Sequence, residues 1–318
     1  FLAVLAVVAR AVSTLVPYAS ALVVAVALGI VLTNTVGVPE RLQAGSSTHK
    51  LWLEAGIVLM GARISLSTLL DTGATLAVLV LGVVVLTLLL VEALATVVFD
   101  VHRKLGSLLA AGASVCGVSA AVGVAGSVRA TEEHVAYAAG TILLFDVVTL
   151  FAYPALGGVL GLSDRVFGVW AGLTMFSTGP VTAAGFAFSD AAGRWATVTK
   201  LTRNLLLGVV VAAYSVRYAR AGSEALSPRA LWTSFPTFVL GFFAVVVVTS
   251  SGLVPDTVTA GVEAGYRWLF LLAFAGLGLG VNVDDLRETG AAPVALLLTA
   301  LVVTSVGALL AVRALLGA

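Results

Sequence analysis

Long apolar stretches dominate the chain, and short polar segments separate them at intervals of roughly 30 residues. A helix that crosses a bilayer needs about 20 predominantly apolar residues. By this criterion the pattern predicts eleven membrane-spanning helices, and ten fit nearly as well because the first is short and contains Arg10. The predicted spans are 2–16, 20–36, 51–67, 74–99, 105–127, 134–157, 165–187, 195–216, 231–251, 266–282 and 291–316. The expected fold is therefore an all-α polytopic membrane protein with 10–11 transmembrane helices in a single domain, residues 1–318.

The amino-acid composition argues against several other classes of protein. Of 318 residues, 60% are hydrophobic and 10% are charged, whereas a soluble domain carries about 25% charged residues. The formal net charge of +1 and the lack of a basic run give no indication of nucleic-acid binding. Cys116 is the only cysteine, and the three histidines are scattered, so the sequence predicts no metal site and no cofactor. No nucleophile–base pair is recognisable, and we expect a protein that is not an enzyme.

The distribution of Lys and Arg predicts the orientation in the membrane. Nine lie in loops that follow even-numbered spans, namely Arg41, Lys50, Arg103, Lys104, Arg165, Arg217, Arg220, Arg229 and Arg287. Four lie on the opposite side, namely Arg129, Arg194, Arg267 and Arg313. Because cytoplasmic loops carry the excess of Lys and Arg, the even-numbered loops and the N-terminus are predicted to be cytoplasmic.

A weak internal repeat relates residues 20–100 to residues 236–318. Its clearest part is the likeness of 61–73 to 278–290, and the two copies run in opposite directions in the predicted topology. Inverted repeats are typical of many secondary transporters, with the substrate site at the repeat interface. Chance similarity between glycine-rich apolar segments is the alternative, and the helix count does not divide into two equal halves with these copies paired.

Lys200 and Arg203 interrupt a stretch that otherwise predicts a membrane-spanning helix. Three residues apart, they lie on one helix face. At 1.5 Å per residue, Arg203 lies about 14 Å beyond Arg194 and about 21 Å before Arg217, close to the middle of a hydrocarbon core about 30 Å thick. A charge at that depth costs several kcal/mol. We therefore expect the two cations to bind a transported anion that neutralises part of their charge.

Two further segments, 112–123 and 177–185, are dense in glycine and small hydroxyl residues. Pro180 removes a backbone donor within the second segment. Both predict broken helices, whose N-terminal ends attract anions. Close helix packing through small residues is the alternative. The candidate ligands for the anion are Ser114, Cys116, Gly117, Ser119, Ser177, Thr178, Gly179, Thr182 and Asn204.

Two more charged residues are ambiguous. Asp146 lies deep in a predicted span, so it is either a carrier of a coupling proton or sodium ion, or the counter-ion of Lys200 or Arg203. Arg63 ends the third span, where its side chain either extends to the membrane interface or lines the anion path.

Several segments together resemble the YeiH-type sulfate exporter family. They are Gly56–Leu66, Gly112–Ala120, Glu132–Ala138, Phe167–Leu173, Ala183–Ala187 and Ala196–Arg203. The resemblance covers most of the chain in order and spacing. It implies a multi-pass transporter of the bacterial inner membrane, distantly similar to bile-acid and arsenite carriers with inverted repeats and crossing broken helices.

The chain departs from that family in two places. Where the family has His-Asp followed by small polar residues, this chain has Phe176-Ser177-Thr178-Gly179-Pro180, and where the family has an Asn in the sixth helix, it has Asp146. Either one acid has moved or the coupling chemistry differs, so proton or sodium coupling is not carried over from the resemblance.

Together these features predict a secondary transporter, in the exporting direction, for a small inorganic or sulfur-containing anion such as sulfate. The expected partners are this anion, a coupling Na⁺ or H⁺, and the lipid bilayer, and the sequence leaves a homodimer open. The alternatives are a sodium- or proton-coupled carrier of organic carboxylates or sulfonates, and an anion channel.

Overall fold

The computed structural model describes residues 1–15, 20–39, 45, 47–218, 237–251, 254–284 and 290–316. The helices in these residues are α1 (Leu2–Leu15), α2 (Ala21–Thr35), α3 (His49–Met60), α4 (Leu66–Ala93), α5 (Arg103–Ser114), α6 (Val118–Val128), α7 (Glu132–Val159), α8 (Asp164–Thr174), α9 (Thr178–Phe188), α10 (Asp190–Asn204), α11 (Leu207–Tyr218), α12 (Phe238–Ser250), α13 (Asp256–Leu279) and α14 (Ala291–Leu316). A 3₁₀ turn, Gly61–Arg63, follows α3, and a π-helical turn, Leu94–Val98, follows α4.

The predicted all-α, polytopic fold is confirmed, because every regular element of the described residues is helical and each predicted span contains a helix or two consecutive helices. Five stretches of the described chain are long and apolar enough to cross a bilayer. They are Leu69–Val98, Glu132–Val159, Asp190–Tyr218, Gly261–Leu279 and Ala291–Leu316. Residues 231–236 of the ninth predicted span lie outside the described residues.

Local capping explains where several helices begin. The Ser189 hydroxyl accepts a hydrogen bond from the Ala192 amide at 3.0 Å and so satisfies a free donor at the start of α10. Thr131 and His134 cap the start of α7 reciprocally, with His134 in the place usually taken by Glu or Gln.

The helices pack as two groups. We call α1, α2, α3, α12 and α13 the peripheral group, and α4 to α11 with α14 the central group. Within the peripheral group, α13 packs along α2 and α3, and within the central group α10 packs along α8 and α9. The principal contacts between the two groups are those of α9 with α2 and α13, and of α12 with α4.

Each group is tied internally by polar contacts. In the peripheral group, the Thr33 hydroxyl donates to the Leu279 carbonyl at 2.8 Å, and the Asn34 amide donates to the Val281 carbonyl at 2.9 Å. In the central group, the buried carboxylate of Glu92 on α4 accepts hydrogen bonds from Ser107 of α5 and Tyr214 of α11, each at 2.7 Å. These bonds hold helices of the same group together.

The packing partners of the predicted repeat copies correspond. Helix α2 packs on α13 as α12 packs on α3, and α4 contacts α5 and α8 as α14 contacts α8 and α5. This pattern arises if α2, α3 and α4 of the first copy correspond to α12, α13 and α14 of the second. The pair α5 and α6 would correspond to the pair α8 and α9. The second copy would then be permuted in chain order, so that α8 and α9 precede α12, α13 and α14. The repeat itself stays a prediction.

Two helices of the central group are interrupted near the middle of the fold, as the fold prediction states. The first interruption separates α5 from α6 at residues 115–117, and the second separates α8 from α9 at residues 175–177. The second differs from the prediction in detail, because Pro180 lies inside the first turn of α9 rather than at the break. In a first turn the missing N–H of proline would have no intrahelical acceptor, so the ring is tolerated there.

The two interruptions touch each other at Gly117. Its φ is +66°, which residues with a Cβ rarely adopt. A Cβ at this position would lie 3.1 Å from the Cβ and 3.3 Å from the Cα of Ser177. The crossing of the two broken helices therefore requires glycine at residue 117.

We expect Gly117→Ala to destabilise the protein, because a positive φ costs a non-glycine residue about 1–2 kcal/mol and the added methyl group overpacks the crossing at about 1–3 kcal/mol. The thermal midpoint of the purified protein in detergent should fall. Gly126→Ala is the matched control on α6, since a Cβ there meets no neighbour within 4 Å. Equal midpoints for the two variants would contradict this account of the crossing.

Candidate functional site

The interruptions leave backbone carbonyls without helical partners at the ends of α5 and α8. The Ala111 and Gly112 carbonyls still accept hydrogen bonds from the Val115 and Gly117 amides. The next two carbonyls of α5, those of Ala113 and Ser114, have no donor within the helix. In the interior of a membrane protein no bulk water replaces the missing donors. Other side chains must therefore supply them.

Lys200 and Arg203 on α10 supply these donors. The Lys200 ammonium donates to the carbonyls of Val115 at 2.7 Å, Met175 at 3.0 Å, and Phe176. Three acceptors use three N–H donors, which only the charged ammonium form has. Lys200 is fully buried.

Arg203 completes the same pattern one turn further along α10. Its Nε donates to the Ser114 carbonyl at 2.6 Å, Nη1 to the Met175 carbonyl at 2.8 Å, and Nη2 to the Ala113 carbonyl. It is fully buried as well. Each cation therefore bridges the C-terminal ends of both broken helices.

The uncapped helix C-termini and the buried cations stabilise each other. A helix C-terminus carries about half a negative charge, and desolvating an isolated cation costs several kcal/mol. Because the two cations face two C-terminal ends, each feature is stabilised by the other. On the other side of each interruption, the N-termini of α6 and α9 are not covered by these cations.

They face a cavity of about 450 Å³ between the central and peripheral groups. Its central-group wall includes Cys116, Val118, Ser119, Asp146, Ser177, Thr178, Gly179, Pro180 and Asn204. Its peripheral-group wall is mostly apolar and includes Val26, Leu53, Ile57, Phe238, Leu277 and Val281. The cavity reaches the membrane face at which α3 begins, since His49 and the exposed Lys50 also line it.

Asp146 joins this cavity to the start of α9. Its Oδ1 accepts a hydrogen bond from the Ser177 amide at 3.0 Å, so the carboxylate caps the N-terminus of α9, whose first residues line the cavity. Within the described residues, the ion pairs closer than 4 Å involve Glu92, Asp190 and Glu263 but not Asp146. Asp146 therefore forms no direct ion pair with Lys200 or Arg203, and both predicted roles, counter-ion at longer range and carrier of a coupling ion, stay predictions.

The structure brings together seven of the predicted site residues in the cavity wall: Cys116, Ser119, Asp146, Ser177, Thr178, Gly179 and Asn204. The remaining predicted residues lie elsewhere. Ser114 ends α5, Gly117 lies in the interruption, and the buried hydroxyl of Thr182 accepts a bond from Thr197 at 3.2 Å between α9 and α10. Arg63 pairs with Glu263 at 3.1 Å, beyond the other end of α3.

Lys200 and Arg203 also lie outside the cavity wall, with their donors directed at main-chain carbonyls. Their direct contact with an anion stays a prediction. Three residues of α3 that were not among the predicted site residues, His49, Lys50 and Glu54, line the cavity from the peripheral group. The spacing of Lys50 and Glu54, four residues apart on one helix face, is the signal that could have indicated them.

Fold and site together define a multi-pass α-helical membrane protein with two crossing broken helices and a cavity at their N-terminal ends. Residues 1–297 match the family described as conserved hypothetical protein 698. The chain belongs to this family, whose curated members are named UPF0324 membrane proteins.

Relatives of that name occur in several bacteria. The protein of Nitratidesulfovibrio vulgaris is 34% identical over 275 residues, covering 84% of this chain and 76% of the relative. That of Clostridium tetani is 31% identical over 314 residues, with 92% and 89% coverage, and one from Bacillus cereus is 33% identical over 272 residues, with 85% and 76%. No solved structure matches the chain. The relatives establish a multi-pass membrane protein of a bacterial family.

We expect Lys200→Met and Arg203→Met each to lower the thermal midpoint of the purified protein strongly. Each variant leaves two carbonyl acceptors without a donor, since the Met175 carbonyl keeps the other cation, and an unsatisfied buried polar group costs about 1–3 kcal/mol. Arg194→Met is the matched control, because Arg194 is a partly exposed arginine of the same helix. If both variants kept the wild-type midpoint while only anion affinity fell, the capping role would be refuted and direct anion binding supported.

Proposed function

We propose that the protein is a secondary transporter of a small sulfur-containing oxyanion such as sulfate, working by alternating access. The observation that carries this proposal is the cavity at which the N-termini of α6 and α9 converge. Helix N-termini present free amides and about half a positive charge each. The amides of Val118, Ser119, Thr178 and Gly179 lie in the two first turns, where no intrahelical acceptor is available.

The cavity has the chemistry that an oxyanion needs. Hydroxyl groups of Ser119 and Thr178 line it beside the amides, and Lys50 stands at its mouth. A tetrahedral oxyanion accepts many hydrogen bonds, and charge-assisted bonds are the strong ones. The volume of about 450 Å³ falls within the range of about 300–1,000 Å³ of small-molecule sites. The resemblance to YeiH-type sulfate exporters favours the same substrate.

Formal charges support an anion as well. Lys200 and Arg203 contribute two positive charges, and Asp146 contributes one negative charge. The two C-terminal and two N-terminal helix ends at the crossing offset each other, at about half a charge each. About one positive charge is therefore left over beneath the cavity wall, in a region that water does not screen.

The substrate has a rival that the cavity itself suggests. The apolar peripheral-group wall suits an organic carboxylate or sulfonate, whose hydrocarbon part would pack against Leu53 and Leu277. A transport screen with sulfate, sulfite, taurine and citrate separates the two substrate classes. An anion channel is separated by kinetics, because a carrier saturates and shows counterflow whereas a channel conducts along the gradient without either.

A contact between the two groups supports alternating access. Arg267 on α13 of the peripheral group pairs with Asp190 on α10 of the central group at 2.6 Å. In the predicted topology this pair lies at the extracytoplasmic face, opposite the mouth at Lys50. The cavity is thus open towards the cytoplasm while an ion pair joins the two groups on the other side. We call this Arg267–Asp190 pair the outer latch.

Sulfate should slow the alkylation of Cys116 by a maleimide, because this single cysteine lines the cavity. The measurement compares labelling rates of purified protein in sulfate and in gluconate, alongside sulfate uptake into liposomes. A Cys116→Ser plus Ser163→Cys variant is the control, since Ser163 is exposed and lies outside the cavity wall. Unchanged labelling of Cys116 together with absent sulfate flux would exclude sulfate as the substrate.

Weakening the outer latch should open the cavity to the extracytoplasmic side. An exposed ion pair contributes about 0.2–1 kcal/mol, so we expect Arg267→Ala to raise labelling of Cys116 by an external, impermeant maleimide about two- to fivefold. Arg313→Ala is the matched control, because Arg313 is an exposed arginine of the same predicted membrane face whose hydrogen bond to the Leu160 carbonyl at 3.2 Å stays within the central group. Equal external labelling in both variants would show that the pair does not control access.

A further inference from the structure

Two buried oxygen atoms in the cavity wall lack a donor in the described structure. They are Oδ2 of Asp146 and Oδ1 of Asn204. The residues are only 2% and 4% exposed, so bulk water does not solvate them freely. Buried acceptors are normally satisfied by a donor or a cation, since leaving one unmade costs about 1–3 kcal/mol. Two such atoms in one wall point to a bound species.

Both side chains are anchored to the same turn of the chain. Asp146 Oδ1 accepts from the Ser177 amide at 3.0 Å, and Asn204 Nδ2 donates to the Thr178 hydroxyl at 3.0 Å. Ser177 and Thr178 are consecutive residues at the start of α9. In the second bond the Asn204 nitrogen faces Thr178, so its oxygen is turned away from Thr178 and stays an acceptor. The two unpartnered oxygens therefore belong to one small region of the cavity.

We propose that this region is a sodium site, with Asp146 Oδ2 and Asn204 Oδ1 as its side-chain ligands. This inference rests on the proposed anion transport only for its role in coupling. A hard cation prefers oxygen ligands, and one carboxylate balances one positive charge. A divalent ion is disfavoured because Lys200 and Arg203 lie nearby under the same crossing and repel a higher charge more strongly. A proton would neutralise Asp146 alone, whereas a metal ion serves both oxygens at once.

Sodium binding at Asp146 would determine how strongly the cavity attracts an anion. With Asp146 ionised and unoccupied, its negative charge stands at the N-terminus of α9 and repels an anion there. With sodium bound, two positive charges remain in the formal count of Lys200, Arg203, Asp146 and the ion. A divalent oxyanion such as sulfate neutralises that charge. The structure thus predicts coupling of one sodium ion to each divalent anion.

The Asp146→Asn variant isolates the charge of this side chain, since a neutral amide brings no charge to a sodium ion. It is a mild variant, because the amide keeps an oxygen that accepts from the Ser177 amide. The fold is expected to survive this change, which thermal unfolding checks directly.

The test measures binding of radioactive sodium to the purified full-length protein in choline buffer, without any anion. We expect saturable binding to the wild type, a loss of about tenfold or more in affinity in Asp146→Asn, and a similar loss in Asn204→Ala. Glu133→Gln is the matched control, an acid-to-amide change at an exposed position in the first turn of α7. No saturable sodium binding to folded wild type, or unchanged binding in Asp146→Asn, overturns the proposal.

Transport separates this inference from the proposed function. In liposomes, sulfate uptake by the wild type should require sodium, while uptake by Asp146→Asn should become independent of sodium because its site is already neutral. Sodium-independent sulfate uptake by the wild type that responds to pH would replace sodium by a proton and overturn the site. Sodium binding that depends on Asp146, without transport of any tested anion, would support the site and overturn anion transport.

Discussion

The carbonyl ends of two broken helices are the constraint on which this structure depends. A membrane helix cannot end in the interior unless other groups satisfy its last carbonyls. Here α5 and α8 end side by side, and Lys200 and Arg203 of α10 donate to the carbonyls of both. Without the cations the interruptions would lose their donors, and without the interruptions the cations would be isolated charges. The positions of three helices are therefore fixed together.

The capping by Lys200 and Arg203 makes the two sides of the helix crossing electrostatically different. Both C-terminal ends are covered by cations, so the N-terminal ends of α6 and α9 are the polar ends that face the cavity. Asp146 occupies one amide of that surface, at Ser177. The anion-attracting ends and the single carboxylate thus share one wall of the cavity. Under the proposed function, their competition would link the binding of a cation to the binding of an anion.

The contacts within each helix group are stronger than the contacts between the two groups. Each is tied internally by polar contacts, buried ones of Glu92 in the central group and part-buried ones of Thr33 and Asn34 in the peripheral group. Between the groups lie the cavity on one side and the half-exposed outer latch on the other. An exposed ion pair is weak, whereas removing a partner from a buried network is costly. Relative movement of the groups is consequently easier than deformation within either one.

The sequence by itself determined the helices, the two interruptions and the burial of Lys200 and Arg203. These features follow from local properties: the length of apolar stretches, the backbone freedom of glycine, and the cost of charge at bilayer depth. Only the tertiary structure decided what the buried charges face. Lys200 meets Val115, which lies 85 residues away in the chain, and Asp146 meets Ser177 at a separation of 31. The contribution of α3 to the cavity likewise depends on how the two groups pack. Such contacts depend on the relative placement of whole helices, which local residue patterns do not encode.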